Sequence, residues 1–425
     1  VPHSDSSLAG WLARLEKISS REIILGLERV QAVIERLDLA LPGTVLTIGG
    51  TNGKGSSVAM AESICRSGGM KTGAYTSPHL VRYNERIRIA GNPLPDEEIV
   101  AGFEAVEAVR EDIPLTYFEF GTLAALHALV QHRVEVALLE VGMGGRLDAV
   151  NVIEPDACLI TNVSLDHAEW LGRDVESIAR EKAGIMRPGK PAVFAAADVP
   201  AAITAAAAGL GADLRLAGRD YRWSDEGEAW RWRGRDHVLE ELAHPALPGR
   251  IQVRNAAGVL ALLEAAGLDG LLENATVDAG LRRVRLAGRM QQVDTDRRWL
   301  FDVAHNPAAA DVLAGALAEL PAAARTVAVV GMLNDKDVEA CVTALAPQVD
   351  RWVAFTAASP RAIAVGELAR RIANAAGKAC LEAESAELAV ASAREISEDN
   401  DRVVVTGSFC AVGPALEALG LYSRR

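Results

Sequence analysis

Cysteine is scarce in this chain. Its 425 residues hold five, Cys65, Cys158, Cys341, Cys380 and Cys410, odd in number, widely separated and never in a CxxC arrangement. Neither a disulfide framework nor a cysteine zinc site is therefore expected, and a reducing compartment fits best. Long hydrophobic runs are missing as well: no stretch of about eighteen uninterrupted apolar residues occurs, so no membrane-spanning helix is expected. The opening "VPHSDSSLAGW" lacks the basic and apolar blocks of a secretion signal. Positive charge is in deficit, with 44 Lys and Arg against 57 Asp and Glu for a net charge of −13. That balance disfavours nonspecific adhesion to nucleic acid or to anionic membrane. No strict repeat and no low-complexity tract beyond alanine-rich helices is visible. A cytoplasmic protein that engages neither nucleic acid nor membrane is the expectation.

What is present is an alternation. The β-rich runs "TVLTI", "KTGAYTS", "VEVALLEVG", "DACLITNVS" and "KPAVFAA" are each followed by a stretch of helical period. These runs are apolar on both phases, as parallel strands covered by helices on both faces must be. The pattern predicts an α/β fold with a mostly parallel sheet. In "RDYRWSDEGEAWRWRG" the period changes: Tyr221 and Trp223, then Trp230 and Trp232, flank an acidic, Gly-bearing turn and predict an antiparallel hairpin whose aromatics pack locally. The alternation restarts after residue 286 with "RWLFDVAHN", "RTVAVVGML", "DRWVAFTAAS", "KACLEAES" and "DRVVVTGSF". An N-terminal nucleotide-binding domain over 1–286 and a smaller, Rossmann-like α/β domain over 287–425 are expected, joined within "LRRVRLAGR".

Between the first strand and the first following helix lies "GGTNGKGSS", residues 49–57. A strand ending at Ile48, a glycine-rich turn and a helix starting near Ser56 would aim free backbone N–H groups outward, backed by the positive end of the helix dipole. Gly50, Gly53 and Gly55 permit close approach of an anion, Lys54 adds a full charge, and Ser56 or Ser57 offers a hydroxyl. Such a nest holds phosphate. The spelling is a variant of GxxxxGK[ST], shorter and with Gly55 between lysine and serine.

Parallel sheets place ligands at the carboxyl ends of their strands. Three donors fall there: Ser77 in "YTSPHLVRYNERI", Glu140 ending "VEVALLE", and His167 in "LDHAEWLG". Hydroxyl, carboxylate and phosphate oxygens suit magnesium beside a triphosphate, and a histidine can complete the shell of a second ion. Each also has a local reading, as a turn residue, a solvated strand end and a helix N-terminal residue respectively.

The ordered series "GTNGKGS", "YTSPHLVRYNERI", "TYFEFGTLAAL", "LLEVGMGGRLDAVN", "TNVSLDHAEWLG", "REKAGIMRPG" and "FDVAHNPAA" resembles, over nearly the whole chain, the folylpolyglutamate synthase and dihydrofolate synthase family, relatives of the muramyl peptide ligases. The resemblance implies ATP-dependent ligation: the γ-phosphate activates a carboxylate of a pterin substrate, and the amine of L-glutamate displaces phosphate. It implies that Thr51, Asn52, Gly53, Lys54, Gly55 and Ser56 hold ATP, and that Ser77, Glu140 and His167 bind two Mg2+ ions. By the same resemblance Lys182 is a carbamylated lysine, and Asn255, Arg289 and Asp302 contact the nucleotide. The resemblance also implies that His305 and Asn306, in the same signature, border the phosphates from across the cleft. Independently, an arginine arriving from a second lobe can neutralise a transferring phosphoryl group. Asp302 has a competing reading as the cap of the helix after Pro307.

"REIILGLERV", "LTYFEFGTL" and "GRLDAVN" look like the bacterial bifunctional type, which joins dihydropteroate to glutamate and extends reduced folates. On that resemblance Ile23, Ile24, Leu25, Thr116, Tyr117, Phe118, Glu119, Leu147, Asp148 and Ala149 line the dihydropteroate pocket, with Phe118 stacking on a flat ring. Position 24 departs from the acidic residue common there, and "LAGR" replaces a proline-glycine-arginine pattern at the domain join. Family members are commonly monomers. A ligase limited to polyglutamylation and a non-ligating phosphate-loop protein remain as alternatives.

Overall fold

The computed structural model describes residues 6–18 and 25–422. Its larger sheet has eight strands: β1 (Thr44–Gly49), β2 (Thr72–Tyr75), β3 (Ile87–Ile89), β4 (Asn92–Pro93), β5 (Val136–Glu140), β6 (Ala157–Ile160), β7 (Pro191–Phe194) and β8 (Asp213–Leu216). They lie in the order β4-β3-β2-β5-β1-β6-β7-β8. Every pairing from β2 to β8 is parallel, whereas β3 and β4 join antiparallel at one edge. All five residues of β5 are buried, as expected for a central strand with helices on both faces. The helices Lys54–Ser67 and Ile251–Ala265 share one apolar core with one face of the sheet, and Asp96–Arg110 with Tyr117–Gln131 share another.

The expected hairpin forms from β9 (Arg222–Asp225) and β10 (Trp230–Arg233), and a third strand, β11 (Val238–Leu242), extends it. Trp230 and Trp232 are fully buried, and their indole N–H groups donate to the carbonyls of Ala243 and Ala257 at 2.9 and 3.1 Å. These tryptophans are core, attaching the small sheet to the helix Ile251–Ala265.

The second domain holds β12 (Gln291–Asp294), β13 (Arg298–Phe301), β14 (Thr326–Val330), β15 (Arg351–Phe355), β16 (Cys380–Ala383) and β17 (Arg402–Thr406), in the order β12-β13-β17-β14-β15-β16. Only β12 is antiparallel. Apolar clusters cover both faces. The molecule is thus mixed α/β, with a large, mostly parallel sheet and a second, smaller α/β domain.

The two domains touch through backbone as well as side chains. A Cβ on Gly413 would lie 2.0 Å from the carbonyl oxygen of Leu80, so only glycine permits that approach. Tyr422 near the end of the second domain donates its hydroxyl to Glu85 at 2.7 Å.

Candidate active site

Strand β1 runs to Gly49, one residue beyond the expected end, and the following helix begins at Lys54, two residues before Ser56. The reason is Gly53, whose φ of +87° lets it occupy the N-cap position in a left-handed conformation. Lys54, Gly55 and Ser56 therefore lie in the first helical turn, whose N–H groups have no acceptor within the helix. The turn before it is stitched to the end of β6. Thr51 N–H donates to Asn162 O at 3.0 Å, Asn52 N–H donates to Asn162 Oδ1 at 3.1 Å, and Thr161 and Asn162 side chains donate to Asn52 O at 2.7 and 2.8 Å. Lys54 curls back, its Nζ donating to the carbonyls of Gly50 and Thr51 at 3.1 Å each. Burial pushes its ammonium below the ordinary value, and Glu140 and Asp166 oppose the shift.

Strand register explains why distant residues meet here. Ile48 on β1 pairs with Glu140 on β5, and Gly49 pairs with Ile160 on β6, so Glu140 and the 161–167 segment flank the glycine turn. Beyond β5, Tyr75 on β2 pairs with Leu139, which brings Ser77 alongside: its N–H donates to Glu140 Oε2 at 3.2 Å. Burial raises the Glu140 pKa, with Lys54 and the Ser77 N–H pulling the other way. His167 sits at φ +51° at the start of a short helix, and burial holds its imidazole at about 4, a neutral ring with a free lone pair.

Lys182 departs from the exposed lysine that its residue type leads one to expect. It is buried, its Nζ donates to Gly50 O at 2.9 Å, and burial together with the neighbouring Lys54 charge lowers it to about 7. Asn255, on the helix Ile251–Ala265, faces the same turn: a Cβ on Gly53 would lie 3.0 Å from its Oδ1. That Oδ1 is buried and accepts no hydrogen bond.

From the second domain come Arg289, Asp302, His305 and Asn306. The Arg289 guanidinium lies 5.0 Å from the Phe409 ring centre and interacts electrostatically with both Asp302 and Glu140. Asp302 does not cap the next helix. Its carboxylate accepts from Met290 and Ala304 N–H, each at 2.9 Å, and the cap is Asn306, which accepts from Ala309 N–H. The Asn306 amide also exchanges hydrogen bonds with the Asn52 amide at 3.0 and 3.2 Å and donates to Asp166 at 3.0 Å. His305 Nε2 lies 3.6 Å from the same carboxylate, and Lys336 Nζ donates to it at 2.8 Å. Asp166 and Lys336 escaped the sequence reading. Asp166 is adjacent to His167, but nothing in "LNDKD" identifies a partner 170 residues away.

Of the residues expected around a flat ring, Ile23 and Ile24 lie outside the described residues, and Leu25 is half-buried at the edge of the description. Thr116 and Glu119 form the capping box of the helix Tyr117–Gln131, and Glu119 also pairs with Arg29, so both fix the helix that carries Tyr117 and Phe118. The half-buried Phe118 ring stands 6.1 Å from Tyr75 and leaves no space for a Cβ on Gly142. Asp148 turns inward, accepting from Met143 and Val150 N–H at 2.8 and 3.0 Å; burial raises it to about 6. It shapes the turn, while Leu147 stays half-exposed and Ala149 is buried.

The donor set fits a hard divalent ion carried with a nucleotide. Among the described residues no three His, Cys, Asp or Glu side chains converge as a ready-made cage. Mg2+ characteristically takes one or two carboxylates plus phosphate and water oxygens. The Glu140 carboxylate beside Ser77 is of the kind such an ion takes, and the neutral His167 imidazole follows β6, on the far side of β1 from it.

Residues 48–263 match the Mur ligase middle domain, and residues 288–409 match the Mur ligase glutamate ligase domain. The chain is 42% identical, over 99% of its length and 97% of the relative's, to the dihydrofolate synthase/folylpolyglutamate synthase of Escherichia coli K12. It superposes on E. coli FolC in complex with DHPP and ADP with a TM-score of 0.92 at 40% identity, covering 99% of each chain. A bifunctional folylpolyglutamate synthase/dihydrofolate synthase with Mn, AMPPNP and L-glutamate bound matches with a TM-score of 0.91 at 41% identity, covering 99% of this chain and 100% of that one. Two Mur-type domains meeting beside one glycine turn, and similarity that spans both, place this chain in the dihydrofolate synthase/folylpolyglutamate synthase family of the Mur ligases.

Proposed function

We propose that this protein joins L-glutamate to dihydropteroate and to reduced folates, consuming ATP through an acyl phosphate and releasing ADP and phosphate. The observation that carries the proposal is the meeting of Arg289, His305 and Asn306 of the second domain with Glu140, Asp166 and Asn52 of the first, beside the turn that Lys182 contacts through Gly50.

A carboxylate is a poor electrophile because its oxygen leaves badly. Attack of that oxygen on the γ-phosphorus forms a P–O bond and breaks the bond to ADP, after which phosphate is a competent leaving group. The amine of glutamate then forms the C–N bond, expels phosphate and loses a proton to solvent. The first-turn N–H groups of residues 54–56 and the Lys54 charge bind the triphosphate, for which Lys54 exchanges its two carbonyl contacts. Asn255 offers its unused acceptor to a nucleotide N–H or hydroxyl. Arg289 opposes charge on the transferring group from the other side. Ser77, Glu140 and His167 would hold Mg2+, which when bound neutralises phosphate charge and stabilises the departing oxygens.

Lys182 has a further role in this reading. An amine at about 7 is substantially unprotonated at neutral pH. Its Nζ lone pair can bond to the carbon of CO2 with loss of a proton, giving a carbamate whose oxygens suit a second Mg2+. The natural division of the chain is 1–286 and 287–425, with the second domain closing over ATP and glutamate to exclude water from the acyl phosphate. Since one chain brings all these groups together, a monomer is a sufficient catalytic unit.

The test is to incubate the protein with ATP, labelled glutamate and either dihydropteroate or a tetrahydrofolate, and to weigh the products. Amide products from both acceptors are expected. Product from tetrahydrofolate alone would reduce the activity to polyglutamylation, and no product from either would refute the assignment.

A further inference from the structure

Arg86 is a cation without an ion-pair partner among the described residues. Its Nε donates to His79 Nδ1 at 2.8 Å, and its guanidinium carbon stands 5.2 Å from the Tyr83 ring centre and 5.7 Å from that of Tyr117. Among the described residues no carboxylate pairs with it and no acceptor meets its two Nη groups, which are not sealed from solvent. The groups it influences electrostatically, His79, Tyr75, Tyr83 and Tyr117, are neutral ones. Burial and the Arg86 charge hold His79 at about 4, which keeps Nδ1 available as an acceptor. In a chain carrying 57 acidic residues, a half-buried guanidinium held by two aromatic faces and a neutral imidazole, with its fork left open, is poised for a planar anion.

Its position narrows the choice of anion. The Arg86 carbonyl accepts from Thr76 N–H at 2.8 Å, so its backbone is one residue from Ser77, whose own N–H reaches Glu140. Tyr117, against which the guanidinium packs, adjoins Phe118. The acceptor substrate's reacting carboxylate must stay free to attack phosphorus, and a bidentate guanidinium clamp would lower its nucleophilicity. Dihydropteroate has only that carboxylate. A folate ending in glutamate has a second, the α-carboxylate, which takes no part in the reaction.

Resting on the functional reading above, we propose that Arg86 binds the spectator α-carboxylate of glutamyl-terminated substrates and so serves polyglutamylation specifically.

Steady-state kinetics of Arg86→Gln and Arg86→Lys with each acceptor, at saturating ATP and glutamate, tests this. Losing a charge-assisted, bidentate contact should raise KM for the reduced folate about tenfold to a hundredfold more than KM for dihydropteroate. Arg86→Lys should fall between wild type and Arg86→Gln, and added guanidinium ion should partly restore the Gln variant. Equal changes with both acceptors, or none with either, would overturn the proposal. If Arg86→Gln fails to fold, the ratio measured with Arg86→Lys decides in the same way. The wild-type control separates the two readings. A wild type inactive on both acceptors refutes the ligase assignment, and one that uses only dihydropteroate refutes the role of Arg86 alone.

Discussion

Lys336 Nζ lies 2.8 Å from Asp166 Oδ1, and this ion pair ties the second domain to the residue next to His167. Both side chains are nearly buried, at 7% and 8% exposure. Asp166 also accepts from Asn306 and from its neighbour's N–H, so one carboxylate links the histidine turn, the glycine turn and the opposing domain. Removing one member of a buried pair leaves an uncompensated charge, at a cost of about 3–5 kcal/mol. Lys336→Met should therefore cut kcat/KM for glutamate at least about tenfold. A double-mutant cycle with Asp166→Asn on kcat/KM should give clearly non-additive losses, whereas additive losses would show that the pair does not couple the domains.

Glu140→Gln and His167→Ala should each abolish turnover while leaving the fold intact. The glutamine keeps an acceptor for Ser77 N–H but loses the negative charge that a divalent ion requires. Rates near wild type in either variant, with unchanged circular dichroism, would remove these residues from the metal site.

For Lys182, the folded pKa of about 7 lies below the ordinary 10.5, so between those values the unfolded chain binds the extra proton. Its contribution to stability is present above 10.5 and is lost as pH falls towards 7. In CO2-free buffer, Lys182→Met should thus gain stability relative to wild type as pH drops from about 10 to about 7, which thermal melts can follow. Bicarbonate should raise wild-type activity and not that of the variant. Native mass spectrometry should detect an added 44 Da, about the mass of CO2, on wild type only. Pairs of melts that stay parallel across this pH range would contradict a buried, titrating amine.

Gly53→Ala places a Cβ at φ +87° and 3.0 Å from Asn255 Oδ1. The left-handed conformation costs a non-glycine residue about 1–2 kcal/mol. ATP affinity measured by calorimetry should fall at least about tenfold, since relief of the strain distorts the phosphate turn. An unchanged Kd would mean the turn does not bind nucleotide.

Trp232→Ala is the structural counterpart. Removing a fully buried indole should destabilise by about 3–5 kcal/mol in denaturant melts, with KM values for ATP and the acceptor substrate unchanged in the folded fraction. A selective rise in either KM would make the tryptophan pair a ligand surface.

Much of this molecule was legible before any coordinates. Apolar runs without alternation meant buried parallel strands, glycines between a strand and a helix meant a tight turn, and the aromatic pairs Tyr221/Trp223 and Trp230/Trp232 meant a hairpin. These are local properties, set by backbone sterics and by side-chain period within a few residues. The helix start was misplaced by two residues because glycine's left-handed cap leaves no mark in the hydrophobic pattern. Asp302 was open to misreading as a cap because Asn306, four residues on, serves as well chemically.

What the sequence alone determined is the fold class, the glycine-rich turn between the first sheet strand and its helix, and the types of donor at the strand ends. Only the tertiary structure decided that Lys182 is buried against Gly50, that Asp166 is clasped by Lys336, and that Arg86 has two rings and a histidine around it but no paired acid among the described residues. The physical reason is that desolvation and charge pairing depend on distance in space. Strand order and domain closure set those distances, and no spacing along the chain encodes them.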